Sequence, residues 1–206
     1  MRLPAILERL YARYPGATCA LKHESALELL VATILSAQCT DARVNAVTKD
    51  LFRQYRTASD YATADPARFE AQIRSTGFFR NKTRSVLGMA AALLERHGGQ
   101  VPDTMEALTA LPGVGRKTAN VVLGTWFGKN EGVVVDTHVS RIARRLGLTR
   151  QTDPIKIEED LMRLLPRSEW TNFSHTVIHH GREICEARKP RCEICPVAEL
   201  CPTAVA

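Results

Sequence analysis

No stretch of the 206-residue chain is long and apolar enough to span a bilayer. The opening run, Met1 to Leu10, lacks the apolar core of a signal peptide, because Glu8 and Arg9 interrupt it. These two absences exclude a membrane-embedded chain and lead to the expectation of a cytoplasmic protein, where thiols stay reduced. Strand-forming runs are just as scarce. Val133-Val134-Val135 is the one β-branched run and has no evident partner, which excludes a sheet protein and leaves an all-α fold. Acidic residues are in mild deficit, with 22 Asp plus Glu against 28 Lys plus Arg and a formal charge of +6. That balance permits an anionic partner such as nucleic acid without requiring one.

Against this background the last quarter stands out. Cys185, Cys192, Cys195 and Cys201 form a C-x6-C-x2-C-x5-C run with basic residues and prolines between them. In a reducing compartment such a cluster serves a metal rather than two disulfides. Four thiolates suit tetrahedral zinc or an iron–sulfur cluster, and one close pair instead of two weakens the zinc-ribbon reading without closing the choice. Cys19 and Cys39 stand alone and read as small buried residues in helical surroundings. His175 and His179 have the i, i+4 spacing of a metal-binding pair, but packing or solvent contact is the ordinary outcome for such histidines.

Helical punctuation recurs along the chain. Ser25 and Glu28 form a capping box ahead of Leu27, Leu29, Leu30, Val31, Ile34 and Leu35, which predicts a central buried helix. Thr40 or Asp41 caps the next helix, through Leu51. Asp65-Pro66 opens another that Gly77 closes. Further helices are expected over about 81–96, 104–111 and 116–127. Beyond these, Asp136 caps 137–146 with Gly147 as its stop, Asp153-Pro154 opens a helix ending at Pro166, and 169–184 forms the last.

Two short helices joined by Pro112-Gly113-Val114-Gly115 make a helix–hairpin–helix, over about 104–127. Gly113 and Gly115 can take backbone angles that other residues avoid, and the amides beside the following helix N-terminus seat a phosphate. Lys117 lies in the first turn of that helix. There the dipole and Arg116 disfavour its protonated form, which suits an amine nucleophile, although taken alone such a residue reads first as a solvated surface lysine contacting phosphate. Asp136 reads as an N-cap and also as an ionised acid able to stabilise charge on a sugar as its base departs. Arg141, Arg144 and Arg145 give the same helix a cationic face suited to phosphates.

Leu111-Pro-Gly-Val-Gly-Arg-Lys-Thr-Ala-Asn-Val-Val122, Val135-Asp-Thr-His138, Ser36-Ala-Gln-Cys-Thr-Asp41, Ala187-Arg-Lys-Pro-Arg-Cys192 and the cysteine spacing together resemble the endonuclease III family. These are bifunctional DNA glycosylases of the helix–hairpin–helix superfamily. The resemblance covers almost the whole chain. It implies two helical lobes with a DNA-binding cleft between them: a six-helix lobe at 20–130, and a discontinuous lobe of 1–19 plus 131–206. The latter carries a 4Fe–4S cluster loop at 185–201. It further implies that Val133–Val135 crosses between the lobes rather than forming a strand.

By the same resemblance the chain removes oxidised pyrimidines from damaged double-stranded DNA in base-excision repair. Lys117 would attack the sugar and Asp136 would assist. β-Elimination from the resulting Schiff base would then nick the strand 3′ to the lesion. Gln38 would fill the gap left by the extruded nucleotide, and Phe78 would stand where the family places an aliphatic wedge, with Phe79 as the alternative. Arg188, Lys189 and Arg191 would meet phosphates from the cluster loop. The chain is expected to act as a monomer, in the cytoplasm and associated with the nucleoid. Two rival readings remain. A mismatch adenine glycosylase would lack Lys117 and would extend beyond Ala206 into a recognition domain. A non-catalytic DNA-binding module with structural zinc would leave Lys117 and Asp136 without a shared task.

Overall fold

The structure, a computed structural model, describes residues 2–204, so that Met1, Val205 and Ala206, the ends of the expected discontinuous lobe, lie outside the described residues. It divides into two compact units, one of residues 20–129 and one that joins residues 2–19 to 130–204. Among the described residues there are eleven α-helices and short 3-10 turns, with no strand.

The unit at 20–129 is built on α2 (Ala26–Leu35). Ser25 Oγ accepts from the Glu28 amide, as the capping pattern predicts, while the Glu28 carboxylate reaches one residue further back and accepts from Glu24 N–H at 2.6 Å. Six of the ten residues of α2 are buried, which is why its apolar positions leave no solvent-facing stripe. Around it pack α3 (Asp41–Gln54), α6 (Phe79–His97) and α8 (Arg116–Thr125). Thr40, rather than Asp41, caps α3. Asp65 caps α5 (Pro66–Ile73), which ends in a 3-10 turn before Gly77. The short α7 (Met105–Thr109) starts at Thr104.

This unit carries seven α-helices, where the resemblance implies six. One was not legible in the sequence: α4 (Ala58–Ala62), only five residues long. A reciprocal capping box forms it, with Thr57 Oγ1 accepting from Asp60 N–H and Asp60 Oδ2 from Thr57 N–H. Its buried Tyr61 stacks on Tyr55 and meets Phe69 edge-on, which ties the three surrounding segments together.

In the other unit, α1 (Leu3–Arg13), α9 (Thr137–Arg145), α10 (Pro154–Leu164) and α11 (Trp170–Glu183) enclose a core of Ile6, Leu10, Val139, Ile142, Leu161, Phe173 and Val177. Val133 and Val135 belong to that core, and Val134 between them is also buried, all three as irregular backbone. With no partner strand, the buried Val134 amide needs another acceptor, and Ser174 Oγ supplies it at 3.0 Å. Ser174 in turn donates to Trp170 O. Cys19 and Cys39 depart from expectation, since both are only half-buried and both lie in connections outside the helices.

Burial pushes the imidazoles of His175 and His180 down from 6.5 to about 4, so the fold holds both neutral. An unfolded chain would protonate them near 6.5. The stabilisation is therefore complete above about pH 6.5 and is lost as pH falls toward 4. Urea unfolding between pH 7 and 4 should show a steady loss of stability that His175→Gln partly flattens. Ser174→Ala, which strands the Val134 amide, should cost about 1–3 kcal/mol in the same assay at pH 7.

Candidate functional site

The hairpin is fixed by its apolar residues. Leu111 and Val114 are buried, and Val114 N–H closes the turn on Leu111 O at 3.2 Å. Gly113 has φ +75°, and a Cβ there would stand 2.4 Å from Ser85 Cβ of α6, so both the backbone and the packing require glycine. Gly115 does not share that requirement. Its φ is −92° and space around it is open, so its contribution is a bare approach to the first turn of α8. No side chain caps that turn, which leaves its amides available to an anion. Lys117 is the second residue of α8 and is exposed.

Gln38 and Phe78 are the two non-glycine residues with positive φ among the described residues, at 52° and 48°. Each is exposed at the tip of a turn, and Phe78 leaves 61% of its surface to solvent. Left-handed backbone at a non-glycine residue costs about 1 kcal/mol or more and gathers at functional sites. Phe79 is the half-buried neighbour, flanked by the guanidinium groups of Arg74 and Arg80. A residue that the sequence reading missed supports the Phe78 turn. Lys82, only 4% exposed, donates from Nζ to Thr76 O at 2.7 Å. Burial pushes its ammonium below the ordinary lysine range, offset in part by Cys39. One buried charge thus underpins the 76–78 turn. The available signal was a lysine in register with the apolar stripe Val86, Ala90 and Leu93.

In the other unit, Asp136 caps α9. Its Oδ1 accepts from the amides of His138 and Val139, both at 2.8 Å, and its Oδ2 has no partner among the described residues. The capping role and a chemical role therefore use different oxygens. The cationic face expected on α9 is divided. Arg144 is exposed, but Arg141 and Arg145 turn inward. Arg141 donates to Cys185 O at 2.9 Å, to Gly181 O at 3.0 Å and to His138 Nδ1 at 3.1 Å. Arg145 donates to Glu186 O at 2.7 Å, to Ala187 O at 2.8 Å and to Cys185 Sγ at 3.2 Å. Gly181 permits this approach, because a Cβ there would lie 2.7 Å from His138 Nδ1.

The four cysteines line one cavity of about 390 Å³, walled by Ile142, Leu146, Ile184 and Val197. That volume is many times what a single water or ion requires. Among the described residues no three His, Cys, Asp or Glu side chains converge on a point that one metal ion could occupy. Thiols that share a wide cavity without a common focus fit a multi-atom cluster better than zinc. Burial, reinforced by the other three thiols, pushes the Cys195 thiol up, so thiolates there need the compensating charge of iron. Of the two histidines spaced four apart, His175 is half-buried and His179 Nε2 lies 3.1 Å from Thr18 O. Arg188 and Lys189 are exposed and have no partner among the described residues, whereas Arg191 is tied back to Glu183 O and is better placed to shape the loop than to meet phosphate.

Residues 31–167 match the model of the HhH-GPD superfamily base excision DNA repair proteins, and residues 185–201 match the iron–sulfur binding domain of endonuclease III. The chain belongs to the endonuclease III family of that superfamily. Endonuclease III of a Synechocystis strain is 55% identical over 205 residues, covering 100% of this chain and 94% of the relative. A non-covalent endonuclease III–DNA complex superposes with a TM-score of 0.94 at 44% identity, covering 98% of this chain and 95% of that one. A trapped endonuclease III–DNA covalent intermediate gives the same TM-score and coverage at 43% identity. This member of the family is a DNA glycosylase with associated AP lyase activity in base-excision repair, and it carries a 4Fe–4S cluster.

Arg145→Met removes three donors from the segment that begins at Cys185. Purified protein should carry less iron per chain and weaker visible absorbance at unchanged far-ultraviolet helix signal. Full iron content in the variant would show that the loop holds its shape without the clamp.

Proposed function

We propose that Lys117 is the nucleophile and Asp136 the assisting acid of a glycosylase that removes oxidised pyrimidines from duplex DNA. The observation that carries this reading is the position of Lys117, exposed on the first turn of α8 directly after an uncapped helix start. A phosphate seated on the Gly113–Gly115 amides would bring backbone sugar within reach of that turn. The lesion nucleotide is first extruded, since its glycosidic bond is inaccessible within the stack. Gln38 and Phe78, held on strained and exposed turns, fill and wedge the vacated space. Arg188 and Lys189 contact phosphates from the cluster loop.

In the chemical step the uncharged Nζ of Lys117 attacks C1′ as the C1′–N bond breaks, and the electron pair departs with the base. The free Oδ2 of Asp136 stabilises positive charge on the sugar and accepts the proton that Nζ must lose. Ring opening gives an iminium between Nζ and C1′. Loss of a C2′ proton then expels the 3′-phosphate, nicking the strand 3′ to the lesion. Cys185, Cys192, Cys195 and Cys201, which line one cavity, would hold the 4Fe–4S cluster, whose part would be to stiffen the loop, and no step passes through it. A single chain carries the hairpin, the lysine, the carboxylate and the thiols, in keeping with a monomer acting on nucleoid DNA in the cytoplasm.

Borohydride reduction during turnover of a duplex bearing an oxidised pyrimidine should trap a covalent protein–DNA adduct. Lys117→Ala should abolish the adduct and lower turnover by about three orders of magnitude or more, with duplex binding retained. An undiminished adduct in that variant would assign the nucleophile elsewhere.

A further inference from the structure

The proposed DNA-contact turn at Gln38 occupies one end of the α2–α3 pair, and an unused groove of about 770 Å³ occupies the other. From that groove α2 runs ten residues toward Gln38, about 15 Å, and α3 returns over fourteen residues, about 21 Å. On the return helix Lys49, Phe52 and Arg53 fall at i, i+3 and i+4 and share one face, and Arg56, beyond the helix end, lines the same groove. Lys22 borders them from a loop pinned by Asn45, whose Oδ1 accepts Lys22 N–H and whose Nδ2 donates to Ala20 O, both at 2.9 Å. Lys22 and Lys49 have no side-chain partner among the described residues. Arg53 meets Asp50 only at 3.5 Å, with both side chains largely exposed, a contact that solvent and salt screen. At the rim the His23 ring packs edge-on against Trp126, whose indole is 43% exposed.

Glu24 and Glu28 also line the groove, and their presence selects the partner. A run of phosphates would have to pass both carboxylates, whereas a polypeptide can place acids against the four cations and neutral groups against the two acids. The half-buried Phe52 ring gives an apolar side chain a place to rest. We propose that this groove docks an acidic segment of a partner protein, with an apolar side chain at its centre, while DNA is held at the far end of the same helix pair. The placement of DNA rests on the function proposed above; the groove and its chemistry do not.

The test pans a displayed library of random twelve-residue peptides on the whole protein. One arm uses free protein and the other uses protein loaded with a duplex carrying an uncleavable abasic-site analogue. Failure to load is seen before panning and counts against the DNA assignment, not against the groove. Enriched peptides should carry excess Asp and Glu around an apolar residue and should bind in both arms. One of them, synthesised, should lose at least about tenfold in affinity to the double variant Lys49→Glu, Arg53→Glu and weaken with added salt. The exposed positions leave folding and glycosylase turnover intact, and Lys22→Glu provides an independent second variant. Enrichment of peptides without acidic excess, indifference to these variants, or no enrichment at all overturns the proposal. So does binding of a ten-residue oligothymidylate to the loaded protein that the double variant abolishes, which would make the face a nucleic-acid surface.

Discussion

Four carbonyl groups around Cys185, those of Gly181, Cys185, Glu186 and Ala187, meet the guanidinium groups of Arg141 and Arg145. Left unpaired beside an apolar cavity, each carbonyl would forfeit about 1–3 kcal/mol, and a charged donor more than recovers it. The segment leaving α11 can therefore break its helix, turn, and present Cys185 to the cluster. Both guanidiniums arise from α9, and the same helix starts at Asp136. His138 connects the two ends, with its amide on Asp136 Oδ1 and its Nδ1 accepting from Arg141. Nine residues thus join the carboxylate to the metal-binding loop through one rigid element.

The turns at Gln38 and Phe78 follow a different rule, in which backbone strain is held at an exposed tip. Neither residue has the freedom of glycine, yet each sits in left-handed backbone with its side chain in solvent. Such geometry persists only where the surroundings over-determine it. At Phe78 Lys82 contributes to that determination, since its ammonium needs the Thr76 carbonyl to be tolerated out of water. Apolar packing alone would not fix these tips, because both point away from the core.

Helix starts and the glycine turns were legible because their causes are local. Ser25, Asp65, Thr104, Asp136 and Asp153 each cap the helix they precede, and a cap needs only its own next three residues. The cysteine run was legible for the same reason. What could not be read was anything decided by a distant partner. Val133–Val135 looks like a strand in isolation, and only the hydroxyl of Ser174, about forty residues on, makes irregular backbone affordable there. The five residues of α4 are too few for a periodic signal, and Tyr61 gains its role only from Tyr55 and Phe69.

Charge on a helix shows the same division most sharply. Arg141, Arg144 and Arg145 look equivalent in sequence, spaced as a cationic face for phosphates. Helical geometry separates them: Arg141 and Arg145 are four residues apart and share a face, while Arg144 is rotated about 100° from Arg145. The shared face is the one that meets α11 and its following loop, so two of the three charges pair with carbonyls and one remains for solvent or DNA. Lys82 is the converse case, a lysine placed in apolar register whose charge is structural from the outset. Whether a basic residue reads nucleic acid or holds the fold is settled by the face it shares with its apolar neighbours, and that can be worked out from spacing once the buried face of the helix is known.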